Sequence, residues 1–363
     1  MMLRPWRFLW LFCVVLYSAC QPAPVAPEAP PLPTPVVLTQ TLPPSPTATV
    51  LPPSRTPSIT PSPTAIPHPM SIAALRAGTY PGSEIVIERE LERGANYRRY
   101  YVYYLSEGLK IYALLTLPDG QMPSGGWPGL VFNHGYIPPQ VYRTTERYIA
   151  YVDRLARAGY VVFRIDYRGH DRSEGEATGA YGHPGYLIDV LNAVSALQQH
   201  PQVNPEKIGM WGHSMGGYLT LRAMVVSQQV KAGVIWAGVV ASYPEMLYNW
   251  RRTGAFTPSP SSRGAGWRGT WLETYGTPEQ NPEFWASISA NTYLSDLSGP
   301  LQLHHGTADE DVPVAFSIRL AEQARTAGQT VELYLYEGDN HNISRFFTTA
   351  MNRTIAFFDR VLK

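Results

Sequence analysis

The stretch KIGMWGHSMGGYLTL, residues 207–221, decides how the rest of the chain is read. An apolar run stops at Gly212, a serine follows two residues later, and helix-type spacing begins at Met215. Gly212, Ser214 and Gly216 fit the pattern G-x-S-x-G. A serine hydroxyl is a weak nucleophile at neutral pH and needs a base as well as access to a carbonyl carbon. A tight strand-to-helix turn lifts such a hydroxyl above a sheet, and the glycines remove side chains that would collide across the turn. The helix start also aims backbone N–H groups at the same point, where negative charge is favoured. The plain alternative is a glycine-rich turn that only packs a helix on a sheet. The strand pattern before the serine and the helix pattern after it favour chemistry.

Outward from this corner, the pattern is one of strands and helices in alternation. Residues 84–117 alternate β-branched and aromatic residues with polar ones at period two, which predicts antiparallel strands. GLVFNHG (129–135), YVVFRIDY (160–167), KIGMWG (207–212), VKAGVIWAG (230–238), PLQLHHG (300–306) and TVELYLYEG (330–338) read as buried strands. Helical spacing is expected over 144–158, with Tyr148, Val152 and Leu155 on one face, and over 186–199, 313–327 and 343–361. Strands alternating with helices imply an α/β fold, a mostly parallel twisted sheet covered on both faces, here with antiparallel N-terminal strands. Ligands in such sheets bind beyond the carboxyl ends of the strands. Residues 241–290 break the rhythm and carry Trp250, Trp267, Trp271 and Trp285, so they read as a cap inserted between two strands.

An elbow of this kind takes its acid and then its base from later in the chain. Asp309 follows the strand at 300–306, and His341 follows the one at 330–338. His341 is the expected general base for Ser214, and Asp309 the carboxylate that fixes its tautomer. Glu310, Asp311 and Asp339 are the competing acids, and Asp311 is alternatively a cap for the helix after Pro313. His304 and His305 are adjacent in a strand, so they face opposite sides as packing or supporting residues and not as a metal pair. The oxyanion calls for two N–H donors, expected from Met215 and from Tyr136 in the loop after strand 129–135, with His134 bracing that loop.

Composition sets outer limits. The 363 residues carry a net charge of only +1, which argues against a nucleic-acid partner. The chain's 2 cysteines are Cys13 and Cys20, so no disulfide or cysteine-ligated metal is expected beyond them. No cofactor motif and no metal-ligand spacing stands out. Arg4 and Arg7, then the apolar run Phe8–Tyr17 and Ser-Ala-Cys ending at Cys20, read as an export signal over residues 1–20. It resembles a bacterial lipoprotein signal, which would lipidate Cys20 and tether the protein to a membrane; Tyr17 stands where Leu is usual. A plain signal peptide and an uncleaved anchor are the alternatives. Residues 21–70 hold half of the 34 prolines and read as an extended stalk, with the catalytic domain expected over 71–363.

Together, DYRGHDRSEG (166–175), the Ser214 stretch, VKAGVIWAGV, HHGTADEDVPVAFS and LYEGDNHNI resemble the α/β-hydrolase superfamily. More narrowly, they resemble the catalytic domain of the prolyl oligopeptidase family of serine peptidases. The resemblance implies Ser214 as nucleophile, Asp309 as acid and His341 as base, acting on peptides through an acyl-enzyme. Asp171 stands where a glycine is often found, a mild change because Asp tolerates a left-handed backbone. Members often carry a β-propeller, and no segment before Tyr80 suits one, which keeps a carboxylesterase acting on small or aromatic esters in view. The cap aromatics suggest an apolar or aromatic preference in that site. Arg251 and Arg252 are candidate carboxylate binders, with an exposed cap face as their other reading. A non-catalytic surface binding protein is the reading from another class.

Overall fold

The computed structural model describes residues 67–250 and 266–363. The expected signal, most of the stalk, Cys20, Arg251 and Arg252 therefore lie outside the described residues. A short helix α1 (Ile72–Ala77) precedes strands β1 (Val86–Leu91), β2 (Tyr97–Ser106) and β3 (Leu109–Pro118). Alternation follows: β4 (Trp127–Asn133), α2 (Ile149–Arg157), β5 (Val161–Ile165), α3 (Gly185–Gln199), β6 (Val203–His213), α4 (Met215–Val226) and β7 (Ala232–Trp236). The cap region contributes α5 (Tyr243–Asn249), α6 (Gly266–Tyr275) and α7 (Pro282–Ile288). The chain closes with β8 (Leu301–Gly306), α8 (Val314–Thr326), β9 (Val331–Tyr336) and α9 (Phe347–Leu362).

These strands form one nine-stranded sheet in the order β1-β2-β3-β5-β4-β6-β7-β8-β9. β1, β2 and β3 pair antiparallel, and β3 meets β5 antiparallel. The β2–β3 hairpin turns on Glu107 (φ 51°) and Gly108 (φ 81°), two left-handed residues whose twist suits a two-residue turn. From β5 across to β9 every pairing is parallel. β5 and β7 are buried at every residue, as strands covered on both faces must be. The two faces have separate cores. On one, Ile208 and Met210 of β6 pack with α3, α4 and α8; on the other, Trp211 and Trp236 pack with α2 and α9. Among the described residues, no helix is long and apolar enough to cross a membrane.

Three details depart from the periodicity reading. The packed body begins before residue 71: Met70 is buried, its carbonyl accepts from the buried Arg222 guanidinium at 2.6 Å, and His68 sits edge-on to Trp271, Tyr275 and Phe284. The Asp311 side chain does not cap the helix after Pro313; α8 has no side-chain cap bond. The helix expected from Thr144 starts only at Ile149, because Tyr148 is left-handed (φ 58°, ψ 23°). Side chains before it are drawn to other partners: Tyr142 donates to Asp166 at 2.6 Å, and the Thr144 hydroxyl stands 2.7 Å from Asp166 and 2.8 Å from Asp171. Asp171 is itself left-handed (φ 47°), the conformation its position demands.

Candidate active site

Ser214 sits between β6 and α4 with φ 56° and ψ −116°, a strained conformation for a residue with a side chain. The glycines explain how the corner closes. A Cβ at Gly212 would lie 2.3 Å from the Gly216 carbonyl oxygen, and one at Gly216 would lie 2.0 Å from that of Asn133. The Ser214 N–H donates to the Trp236 carbonyl at 2.9 Å, which ties the corner to the neighbouring strand. Met215 begins α4, so its N–H is one of those with no partner inside the helix.

Asp309 lies just beyond β8 and His341 just beyond β9, on the edge of the sheet that carries Ser214. The His341 Nδ1 donates to Asp309 Oδ2 at 2.8 Å, which leaves Nε2 as the nitrogen available to a hydroxyl. Asp309 also accepts from the Asp311 and Val312 N–H groups at 2.9 and 3.0 Å. His305, reaching from β8, places its Nε2 3.0 Å from the same Oδ2. Burial alone would raise the Asp309 pKa. The hydrogen bonds and charges of His305 and His341 outweigh it and hold the carboxyl well below its usual range.

Ser214 and His341 line one cavity of about 600 Å3, together with Tyr136, Arg147, Tyr148, Tyr151, Asp311 and others. The competing acids resolve by position. Asp339 is buried and accepts from the N–H groups of Asn340, Arg345 and Phe346, so it organises the turn into α9. Asp311 brings a second carboxylate to within 4.8 Å of the Asp309 and His341 atoms. His341 Nδ1 spends its proton on Asp309 there, so that nitrogen offers no lone pair to a cation. His304 faces the α9 side, bonded to Tyr336 and Gln302, and burial pushes its pKa down to about 3. His134 braces its loop as expected, with Nδ1 2.6 Å from the Gly135 carbonyl and its ring stacked on Tyr142.

Among the described residues, the cap aromatics are not the pocket wall that the sequence suggested. Trp250, Trp267, Trp271 and Trp285 are all buried and belong to the core under the cap, and none of them lines the cavity. Tyr136, Tyr148 and Tyr151 supply its aromatic surface instead. Tyr148 and His213 are the residues the sequence did not single out. Gly135 N–H donates to the Tyr148 hydroxyl at 2.9 Å, which stands 2.7 Å from His213 Nδ1. The signal for His213 was present in the motif, as its first variable position.

A parallel sheet with helices on both faces and a strained serine at a strand-to-helix corner define the α/β-hydrolase class. Within that class, this chain belongs to the prolyl oligopeptidase family, whose model matches residues 147–363. It is a serine hydrolase, and the reading as a non-catalytic binding protein falls away. An uncharacterized peptidase of Bacillus subtilis, YtmA, is 29% identical over 262 residues, covering 71% of this chain and 90% of that one. Among solved structures, an acylaminoacyl peptidase of Pyrococcus horikoshii aligns with a TM-score of 0.58 and 24% identity, covering 74% of this chain and 42% of that one. An acetyl xylan esterase from Paenibacillus sp. R4 aligns at 0.59 and 18% identity, covering 78% of this chain and 91% of that one. At those identities the two structures speak for the fold alone.

Proposed function

We propose that the chain is a serine peptidase in which Ser214, His341 and Asp309 form the catalytic triad. The observation that carries this reading is the 2.8 Å bond from Asp309 to His341, which lines one cavity with the strained Ser214. The Ser214 hydroxyl proton passes to His341 Nε2 as Oγ bonds to the substrate carbonyl carbon. The oxyanion is met by the N–H groups of Met215 and Tyr136. Collapse of the tetrahedral adduct breaks the C–N bond, and the imidazolium gives its proton to the leaving amine. Water then enters by the same route, releasing the acid and restoring the serine.

Membership of a peptidase family supports a peptide as substrate. Carboxylesterase activity is the second reading, because an acetyl xylan esterase shares the fold and the same triad chemistry serves esters as well as amides. The separating experiment compares a panel of aminoacyl-nitroanilides with short p-nitrophenyl esters. The proposal expects both panels to turn over, and both to stop in Ser214→Ala; ester turnover alone removes the peptidase reading. Residues 1–20 support export, with a lipid on Cys20 holding the enzyme at the outer side of a bacterial membrane and the proline-rich segment after it as its stalk. Mass spectrometry of the mature N-terminus tests this: an acylated Cys20 is expected, and an unmodified terminus elsewhere removes the anchor.

A further inference from the structure

His213 and Tyr148 join three catalytic segments through one directed chain of hydrogen bonds. The direction follows from chemistry. His213 Nε2 stands 3.0 Å from the His341 carbonyl oxygen, which has no proton to give, so Nε2 carries the hydrogen. Nδ1 is then the acceptor of the neutral ring and takes the Tyr148 O–H at 2.7 Å. The Tyr148 oxygen in turn accepts the Gly135 N–H at 2.9 Å. Burial pushes the His213 pKa down to about 3, so the ring stays neutral and the direction holds throughout the working range.

The packing leaves no slack in this chain. A Cβ on Gly135 would stand 2.8 Å from the Tyr148 oxygen, 3.1 Å from His213 Nδ1 and 3.2 Å from Ser214 Cβ. The His213 and His341 rings lie 4.6 Å apart. Tyr148 reaches the site from a left-handed position just ahead of α2, which sets its ring edge-on to Phe132 of β4. The Gly135 N–H is thereby committed to Tyr148, and the oxyanion donor of this loop falls to the next residue, Tyr136.

We propose that Tyr148 and His213 are positioning residues that hold the oxyanion loop and the His341 loop in register with Ser214. This rests on the triad proposed above. Neither side chain takes up the substrate's proton; each acts by fixing where Tyr136 and His341 stand. The two arms of His213 are separable. His213→Gln keeps a donor near the Nε2 position and loses the tie to Tyr148. His213→Asn keeps an acceptor near Nδ1 and loses the tie to His341.

The test measures kcat, KM and the affinity of a peptide boronic acid, whose adduct with Ser214 mimics the oxyanion. Tyr148→Phe and His213→Gln are expected to lower kcat roughly 10- to 100-fold at unchanged KM. Boronate affinity should fall by the same factor, and binding of the product acid should not change. His213→Asn should cut nitroanilide turnover more than activated-ester turnover, because only the poor leaving amine depends on proton delivery by His341. Thermal melting checks that each variant folds, and the conservative ring of Tyr148→Phe leaves the packing in place. Fluorophosphonate labelling of wild type is the internal control. Labelled wild type beside variants whose kcat and boronate affinity stay within two-fold of it overturns the positioning role alone. Wild type that takes no label at Ser214 overturns the triad and this proposal together.

Discussion

Two aspartates with buried side chains follow strands of the same sheet, and their pKa values are shifted in opposite directions. Asp166, just after β5, is met by the hydroxyls of Tyr142 and Thr144. Asp309, beyond β8, is met by two imidazoles and two backbone N–H groups. Burial raises the pKa of both. At Asp166 it wins over the two hydroxyls and the Arg164 charge, with Asp171 adding to it, and the carboxyl is pushed up to about 7. At Asp309 the imidazole donors win and hold the carboxylate ionised. A carboxylate that must orient a histidine needs N–H donors around it. One that joins loops needs only hydroxyls and can remain protonated.

The sharpest contrast is in turnover. Asp309→Asn should lower kcat roughly 10^4-fold, because the amide no longer selects the His341 tautomer or balances its charge. Asp166→Asn should leave kcat within a few-fold of wild type, measured on the same ester. The second contrast is in stability against pH. A folded pKa near 7 against 3.8 unfolded means the native state binds more protons between those values, so the Asp166 contribution falls as pH rises from about 4 to 7. By linkage the loss is on the order of 4 kcal/mol, and urea titrations of Asp166→Asn should lack that decline relative to wild type. Asp309 has the opposite sign: its contribution is full above the unfolded pKa and fades as pH falls below it.

Two smaller changes refine the comparison. His305→Phe removes an imidazole whose Nε2 stands 3.0 Å from both Asp309 Oδ2 and the Val312 carbonyl, and kcat/KM should drop roughly tenfold, the scale of one polar contact to a charged group. Thr144→Val removes a hydroxyl shared by Asp166 and Asp171 and should cost about 1 kcal/mol in chemical denaturation, with turnover unchanged.

Much of the site was legible because its signals are local. The glycines around Ser214 announce a corner that tolerates no Cβ, and Asp309 and His341 each follow a readable strand. His304 and His305 fall on opposite faces because strand side chains alternate, as the contacts of each with Tyr336 and Ser317 bear out. What escaped was set by tertiary contact. Periodicity put Tyr148 on a helix face, and only its hydroxyl's partners explain why it stands outside the helix. Apolarity marked the cap tryptophans for burial without saying under which surface, and they fill the core instead of the pocket. His68 and Met70 looked like the end of a stalk, yet they pack against the cap and Arg222.

Turnover requires Ser214 to be a nucleophile that His341 activates. The most direct measurement of that activation is peptide mapping of the protein after brief fluorophosphonate treatment at neutral pH, beside His341→Ala. A phosphonyl adduct is expected on the peptide that contains Ser214, formed fast in wild type and only at a trace level in the variant. An unmodified Ser214, or equal labelling with and without His341, would contradict it.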